Sequence, residues 1–287
     1  MPASTLTFPR LSVVVPSFNQ AEYLEAALRS ALDQNYPQLE LIVMDGGSTD
    51  GSRAIIEQYA PRLAYWQSQP DGGQAAALNA GFARATGDIL TWLNSDDVFY
   101  PGALSLVGEA FARFPEIAWL TGIPANMDAA GRLAEIGPRT GRFRPLIRRG
   151  WQHGRALGFI RQEGTFWRRG LWERAGARLD PQRHLTLDYD LWRRFAAHAD
   201  LVTAASILAV FRYQPRQKTA DLDRYYAEIG TRLPERMRLL MLPLRAFLAI
   251  TAWPLAPRLR YHRTSAQWRF SPGPFFRRDS DRAFLGQ

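Results

Sequence analysis

The chain has 287 residues, 46% hydrophobic and 12% aromatic, enough to bury one substantial core. It has no cysteine, which excludes disulfides and cysteine-ligated metal and fits a reducing compartment. The formal net charge of +9 hides a division: residues 1–130 carry 6 arginines against 14 acidic side chains, residues 131–287 carry 30 basic against 13 acidic. A basic half suits a diphosphate, anionic lipid or nucleic acid, or simply a solvated surface. Pro9, Arg10, Pro16 and Asn19 interrupt the N-terminal apolar residues, so no secretory signal is expected.

In chain order, "LSVVVPSF" (11–18) reads as a buried strand and residues 19–34 as a helix with Tyr23, Leu24, Ala27, Leu28, Ala31 and Leu32 near helical spacing. "LELIVMDGGSTDGS" (39–52) is a strand running into a Gly/Ser/Asp turn. Helix (52–60), strand (63–68), small-residue helix (73–86) and strand (88–94) follow. Residues 102–114 read as a helix, 117–122 as a strand, and the Gly/Arg-rich stretch 131–158 as loop. Residues 188–199 form an amphipathic helix with Leu191, Trp192 and Phe195 on one side. Alternating strands and helices imply an α/β, doubly wound, mostly parallel sheet, whose ligands bind beyond the carboxyl ends of the strands. The polar turns at 16–19, 45–50, 71–74 and 94–97 all fall at such ends.

The first turn reads "PSFNQ" rather than G-x-G-x-x-G, which argues against a nicotinamide or flavin domain, and no Walker-type loop is present. The strand "LTWLN" instead runs into Ser95, Asp96 and Asp97. Adjacent carboxylates repel and lose hydration at a partly buried strand end, so a positive partner is expected there.

The blocks "VVVPSFNQAEYLEAALRSALDQNYPQLELIVMDGGSTDGS", "GDILTWLNSDD", "QEGTFWRRGLWERAG" and "LDYDLWRRF", in that order within residues 10–220, resemble the family 2 glycosyltransferases of the GT-A fold. The resemblance implies a nucleotide-diphosphate sugar donor whose phosphates are bridged by Mn²⁺ or Mg²⁺. Asp96 and Asp97 are then the metal and ribose ligands, with the direct metal ligand left open between them. Pro16, Ser17 and Asn19 line the nucleotide pocket, with Asp45 near the base. Asp71, Gln74 and Asn79 approach the sugar and diphosphate, while Arg212, Arg216 or Lys218 neutralises the diphosphate. Three positions depart from the family pattern: Gly46 and Asn94 stand where relatives often carry Asp, and Gln214 where they carry His.

Inverting transfer needs one base for the acceptor hydroxyl. Asp188 and Asp190 lie two apart on a helix and point to different faces; the resemblance selects Asp188, leaving Asp190 as a first-turn acid. Gln162 matches a position near the acceptor, Glu163 reads equally as a surface charge, and Trp167 reads as core.

The division expected is a catalytic domain at 1–228 and a basic amphipathic extension at 229–287. "MRLLMLPLRAFLAITAWPLAP" (237–257) is apolar but interrupted by Arg238, Pro243, Arg245 and Pro254, whereas a span needs about 20 predominantly apolar residues. It reads as an interfacial helix, with Arg258, Arg260 and Arg263 near anionic headgroups, or equally as a helix packed on the catalytic domain. The expectation is an inverting, metal-dependent glycosyltransferase acting on a glycan or lipid-linked acceptor in bacterial envelope polysaccharide synthesis. It would lie in the cytoplasm or peripherally at the inner face of the membrane, with an anionic membrane surface as a further candidate partner. Nucleic acid is not expected, because the acidic half carries the motifs. The alternative is a catalytically silent nucleotide-sugar-binding module.

Overall fold

A computed structural model describes residues 7–214, 217, 221–230, 239, 241–262, 265, 267–274 and 276. The first half alternates as the periodicity predicts: β1 (Leu11–Ser17), α1 (Ala21–Leu32), β2 (Leu39–Asp45), α2 (Ser52–Tyr59), β3 (Tyr65–Ser68), α3 (Gln74–Arg84) and β4 (Ile89–Trp92). Then come β5 (Val98–Phe99), α4 (Ala103–Arg113), β6 (Trp119–Thr121), β7 (Ala125–Met127), β8 (Leu133–Ile136), α5 (Arg144–Arg148), β9 (Thr165–Arg168), α6 (Arg169–Arg174) and α7 (Leu187–His198). The remainder is β10 (Leu201–Ala204), β11 (Ala209–Arg212), α8 (Leu222–Glu228), α9 (Leu242–Leu255), β12 (Arg258–His262) and β13 (Gln267–Ser271).

Nine strands form the main sheet in the order β13-β12-β10-β6-β9-β4-β1-β2-β3, while β5-β11-β7-β8 form a smaller one. The pairs β1·β2, β2·β3, β1·β4, β6·β10 and β10·β12 are parallel, and β9 runs antiparallel between β4 and β6. Both faces are covered, as a parallel sheet requires. Val13 and Val15 of β1 face one core with Leu24, Leu28 and Val107; Val14 faces the other with Leu78 and Phe82. That second core holds a cluster of aromatics. Trp92 stacks on Trp192 at 6.0 Å between ring centroids, and Trp167 is fully buried beside both.

The stretch 131–158, expected as loop, contains β8 and α5. All four residues of β8 are exposed and it pairs only with β7, so no alternating pattern marks it; α5 is five residues long with one buried side chain, Ile147. Within the expected extension, β12 and β13 continue the main sheet beyond β10, and Ala252 of α9 packs where a side chain on Gly141 would collide with it. Arg258 donates to the carbonyls of Trp253, Pro254 and Ala256, so it closes the end of α9. Arg216, Lys218, Thr219, Arg238 and Arg263 lie outside the described residues.

Helix α3 approaches the sheet closely because Gly81 has no Cβ: one built there would overlap Val14 and press on Met44 at 3.1 Å. Gly81→Ala should therefore destabilise the fold by about 1–3 kcal/mol despite alanine's better helix propensity. Urea unfolding checks this, and an unchanged or raised midpoint would contradict the close approach.

Candidate active site

The carboxyl ends of β1, β2 and β4 form a polar cleft. Asn19 has φ 53°, a left-handed conformation that asparagine tolerates; its N–H donates to Ser48 Oγ at 2.8 Å and its Oδ1 accepts from Thr49 N–H at 2.9 Å. The turns after β1 and β2 are thereby tied together. Asp45 is fully buried and accepts from Gly47 N–H (3.2 Å), Ser48 N–H (2.9 Å), Ser68 Oγ (2.7 Å) and Ser48 Oγ. Its carboxylate is thus committed to the turn, and whatever it contributes to a pocket comes through that shape. Asp50 serves two helix starts, accepting from Ala21 N–H at 2.9 Å and Ser52 N–H at 3.1 Å. Burial opposes its charge, but hydrogen bonds from Ser52 and Ala21 outweigh this and hold the carboxyl below its ordinary range.

Pro16 and Ser17 are buried at the end of β1, and the Ser17 hydroxyl finds no partner among the described residues. Asp71 is exposed and accepts from Gly73 N–H at 2.7 Å; a Cβ on Gly46 would lie 3.4 Å from its carboxylate oxygens and 3.3 Å from Phe18. Asn79 is bonded across the fold: its amide donates to Leu179 O at 2.9 Å and accepts from Leu179 N–H at 2.8 Å, joining α3 to the loop before α7.

The acidic end of β4 is the most constrained part. Asp97 is fully buried; its Oδ1 accepts from Arg212 N–H at 2.9 Å and its Oδ2 from Asn94 Nδ2 at 3.3 Å. Asn94 also accepts from Gln74 Nε2 at 2.9 Å and donates to Gln162 Oε1 at 3.1 Å, while Gln162 donates to Trp92 O. Asp96 accepts from Gln214 Nε2 at 3.2 Å. The Arg212 guanidinium is directed at the carbonyls of Asp96 (2.8 Å) and Ala129 (3.0 Å) and lies over the Tyr23 ring; it makes no ion pair with either carboxylate.

Burial, then the charges of Asp96 and Glu163, pushes the Asp97 carboxyl well above its usual range. Glu163 is a site residue rather than a surface charge: it is 3% exposed, and its Oε1 has no partner among the described residues. Burial raises its carboxyl too, with Arg161 opposing. Nothing local in the sequence marks this burial, because it follows from β9 being inserted between β4 and β6.

Asp188 lies in the first turn of α7, partly buried, its Oδ1 accepting from Tyr189 N–H at 2.7 Å. Burial pushes its carboxyl up to about 7; the Tyr189 N–H opposes this and the Glu163 charge adds to it. Asp190 instead pairs with Arg194 at 2.9 Å. Two acids two residues apart are thus separated into a perturbed carboxyl and an ion-paired one.

A divalent ion fits this donor set. Adjacent, repelling carboxylates, one fully buried (Asp97) and one half-buried (Asp96), without an ion-paired cation call for positive charge, and both are oxygen donors of the type Mg²⁺ and Mn²⁺ take. No group of three or more His, Asp or Glu side chains able to hold a metal occurs among the described residues.

The family model for Glycosyl transferase family 2 matches residues 12–161. The chain belongs to this family. An uncharacterized glycosyltransferase of Nostoc sp. is 40% identical over 105 residues, 36% of this chain and 33% of that protein. One from Mycobacterium tuberculosis H37Rv is 45% identical over 92 residues, 32% and 35% respectively, so these matches span about a third of the curated relatives. Among solved structures, Staphylococcus aureus TarS 1-349 in complex with UDP-GlcNAc aligns with TM-score 0.57 at 17% identity, covering 83% of this chain and 71% of that one. The mannosyltransferase PcManGT from Pyrobaculum calidifontis, in complex with GDP-Man and Mn²⁺, aligns with TM-score 0.56 at 22% identity, covering 86% and 73%. At these identities the structural likeness shows the fold, which is that of GT-A glycosyltransferases.

In this family 2 chain the unpartnered Glu163 makes a stability prediction. Its carboxyl, ordinarily near 4.5, is raised in the fold, so stability falls as pH rises from the unfolded value through the folded one. Glu163→Gln removes that penalty without changing shape. In protein stripped of divalent ions, its urea midpoint at pH 7 should exceed wild type while the two converge near pH 4; a lower midpoint at pH 7 would show that Glu163 is stabilising as an anion.

Proposed function

We propose that this chain is an inverting glycosyltransferase that moves a sugar from a nucleotide-diphosphate sugar to a hydroxyl of a glycan or lipid-linked acceptor, in bacterial cell-envelope polysaccharide synthesis. The observation carrying this reading is the pairing of a diacid, whose Asp97 is fully buried, with a separate carboxyl raised to about 7. Asp96 and Asp97 would hold Mn²⁺ or Mg²⁺, which when bound supplies positive charge for the departing nucleoside diphosphate. Asp188 takes the proton from the acceptor hydroxyl as that oxygen attacks the anomeric carbon and the bond from that carbon to the diphosphate oxygen breaks. A carboxyl near 7 suits the task, being both available as base and strong enough to accept the proton. Pro16, Ser17 and Asn19 shape the nucleotide end, Asp71 and Gln74 the sugar and diphosphate side, and Arg212 orients Asp96 through its carbonyl.

A cavity of about 820 Å³ supports an acceptor site. Phe143, Phe159 and Tyr213 line it with aromatic rings, and Arg161 adds a cationic side chain. Arg161 also acts electrostatically on Asp188 and Glu163, so the cavity adjoins the proposed base.

The test is release of nucleoside diphosphate from a panel of nucleotide sugars with and without Mn²⁺. Replacing both Asp96 and Asp97 with Ala should abolish Mn²⁺-dependent donor binding. Asp188→Asn should lower turnover about 10²–10⁴-fold at unchanged donor affinity, while Asp190→Asn keeps turnover within a few fold. Wild-type kcat/KM should rise as pH increases through about 7, where Asp188 loses its proton. A dead Asp190 variant beside an active Asp188 variant would reverse the assignment.

Peripheral attachment to the inner face of an anionic membrane is part of the same reading. No described helix is long and apolar enough to cross a bilayer, yet Leu239, Leu242 and Phe247 are exposed at and near α9 in a basic part of the chain. The protein should co-sediment with anionic phosphatidylglycerol vesicles, less at high salt and less when the exposed Leu239, Leu242 and Phe247 are replaced by Ser. Failure of the full chain to bind such vesicles at low salt would remove this part of the proposal.

A further inference from the structure

The segment leading into α7 is held from outside. Glu228, the last residue of α8, accepts the N–H groups of His184 at 3.0 Å, Leu185 at 3.2 Å and Thr186 at 3.1 Å, together with the Thr186 hydroxyl. Its own carbonyl accepts from Arg183 Nη1 at 2.8 Å. Four consecutive residues are thus fixed by one residue of another helix. Thr186 is the N-cap of α7; its hydroxyl donates to Glu228 and makes no capping bond to the helix. The usual local cap is replaced by a tertiary one. Asp188 follows two residues later.

The other end of α8 faces the large cavity. Asp223 pairs with Arg155 at 3.2 Å, and the Arg155 guanidinium lies 3.9 Å over the Tyr226 ring; all three residues line the cavity. One short helix therefore forms part of the cavity wall and grips the start of the helix that carries Asp188.

We propose that Glu228 is a positioning residue for Asp188, aligning the carboxyl with an acceptor held against α8. The inference rests on Asp188 as the base. Its physical ground is the steep dependence of proton transfer and attack on geometry: a 1 Å misplacement costs up to about 10²-fold in rate. Losing the shared carboxylate frees three N–H groups and a hydroxyl just before the first turn of α7. The donor site, built on β1, β2 and β4, does not touch Glu228.

The experiment compares Glu228→Gln and Glu228→Ala with wild type and with Asp188→Asn. Glutamine keeps one accepting oxygen but turns an NH₂ toward N–H donors, so it is the milder variant; if the alanine variant fails to fold, the glutamine variant carries the measurement. Expected is a drop in kcat of about 10-fold for Gln and up to about 10²-fold for Ala, with donor KM within 2-fold of wild type. In the Asp188→Asn background the same substitutions should change residual turnover less than 2-fold, because a misplaced base that is already absent has no further effect. Wild-type kcat in Glu228→Gln, or an equal loss with and without the Asp188 carboxyl, would overturn the inference. A wild-type protein that releases no nucleoside diphosphate would instead sink the proposed function itself.

Discussion

The buried carboxylate of Asp97 is the constraint around which the rest is arranged. Without an ion-paired cation, it is held by one backbone N–H and one amide, from Arg212 and Asn94. The backbone donor explains the second sheet: β11 pairs with β7 and β5, and this sets Arg212 at the end of β4, over a hundred residues away in sequence. The amides of Gln74, Asn94 and Gln162 then link α3, the end of β4 and the approach to β9. Such a network satisfies hydrogen bonds but supplies no positive charge to the pair.

The acids of the chain divide according to what they accept from. Asp45 and Asp50 accept chiefly from backbone N–H groups and serine hydroxyls of their own turns, which makes them architectural. Asp97, Glu163 and Asp188 receive fewer donors than their burial demands, and their carboxyls are raised accordingly. A polar turn at a strand end therefore does two kinds of work in one cleft, and hydrogen-bond satisfaction separates them better than residue type does.

The charge division of the chain has a spatial counterpart. The acidic first half supplies the strand ends β1, β2 and β4, while the basic second half supplies the cavity, α7 and α8. Insertion of β9 between β4 and β6 joins them, carrying Gln162 and Glu163 to the diacid at one end and Trp167 into the aromatic core at the other.

Sequence by itself determined the alternation of β1 through β4 with their helices, because buried parallel strands are continuously apolar and α1 repeats its apolar residues at helical spacing. It also marked Asp96 and Asp97 as candidates, as adjacent acids at a strand end, and offered Asp188 and Asp190 together, between which the family resemblance chose. Tertiary structure decided the rest. The burial of Glu163 depends on β9, a strand that reaches its neighbours from far along the chain. The commitment of Asn79 to Leu179 and of Glu228 to residues 184–186 are contacts spanning 100 and 42–44 residues, which no local pattern encodes. The strand β8 and the sheet extension β12 and β13 escaped the sequence for the complementary reason. β8 is an edge strand with four exposed residues, and β12 and β13 mix exposed and half-buried side chains around one fully buried residue, Leu259, whereas periodicity reports burial, not backbone pairing.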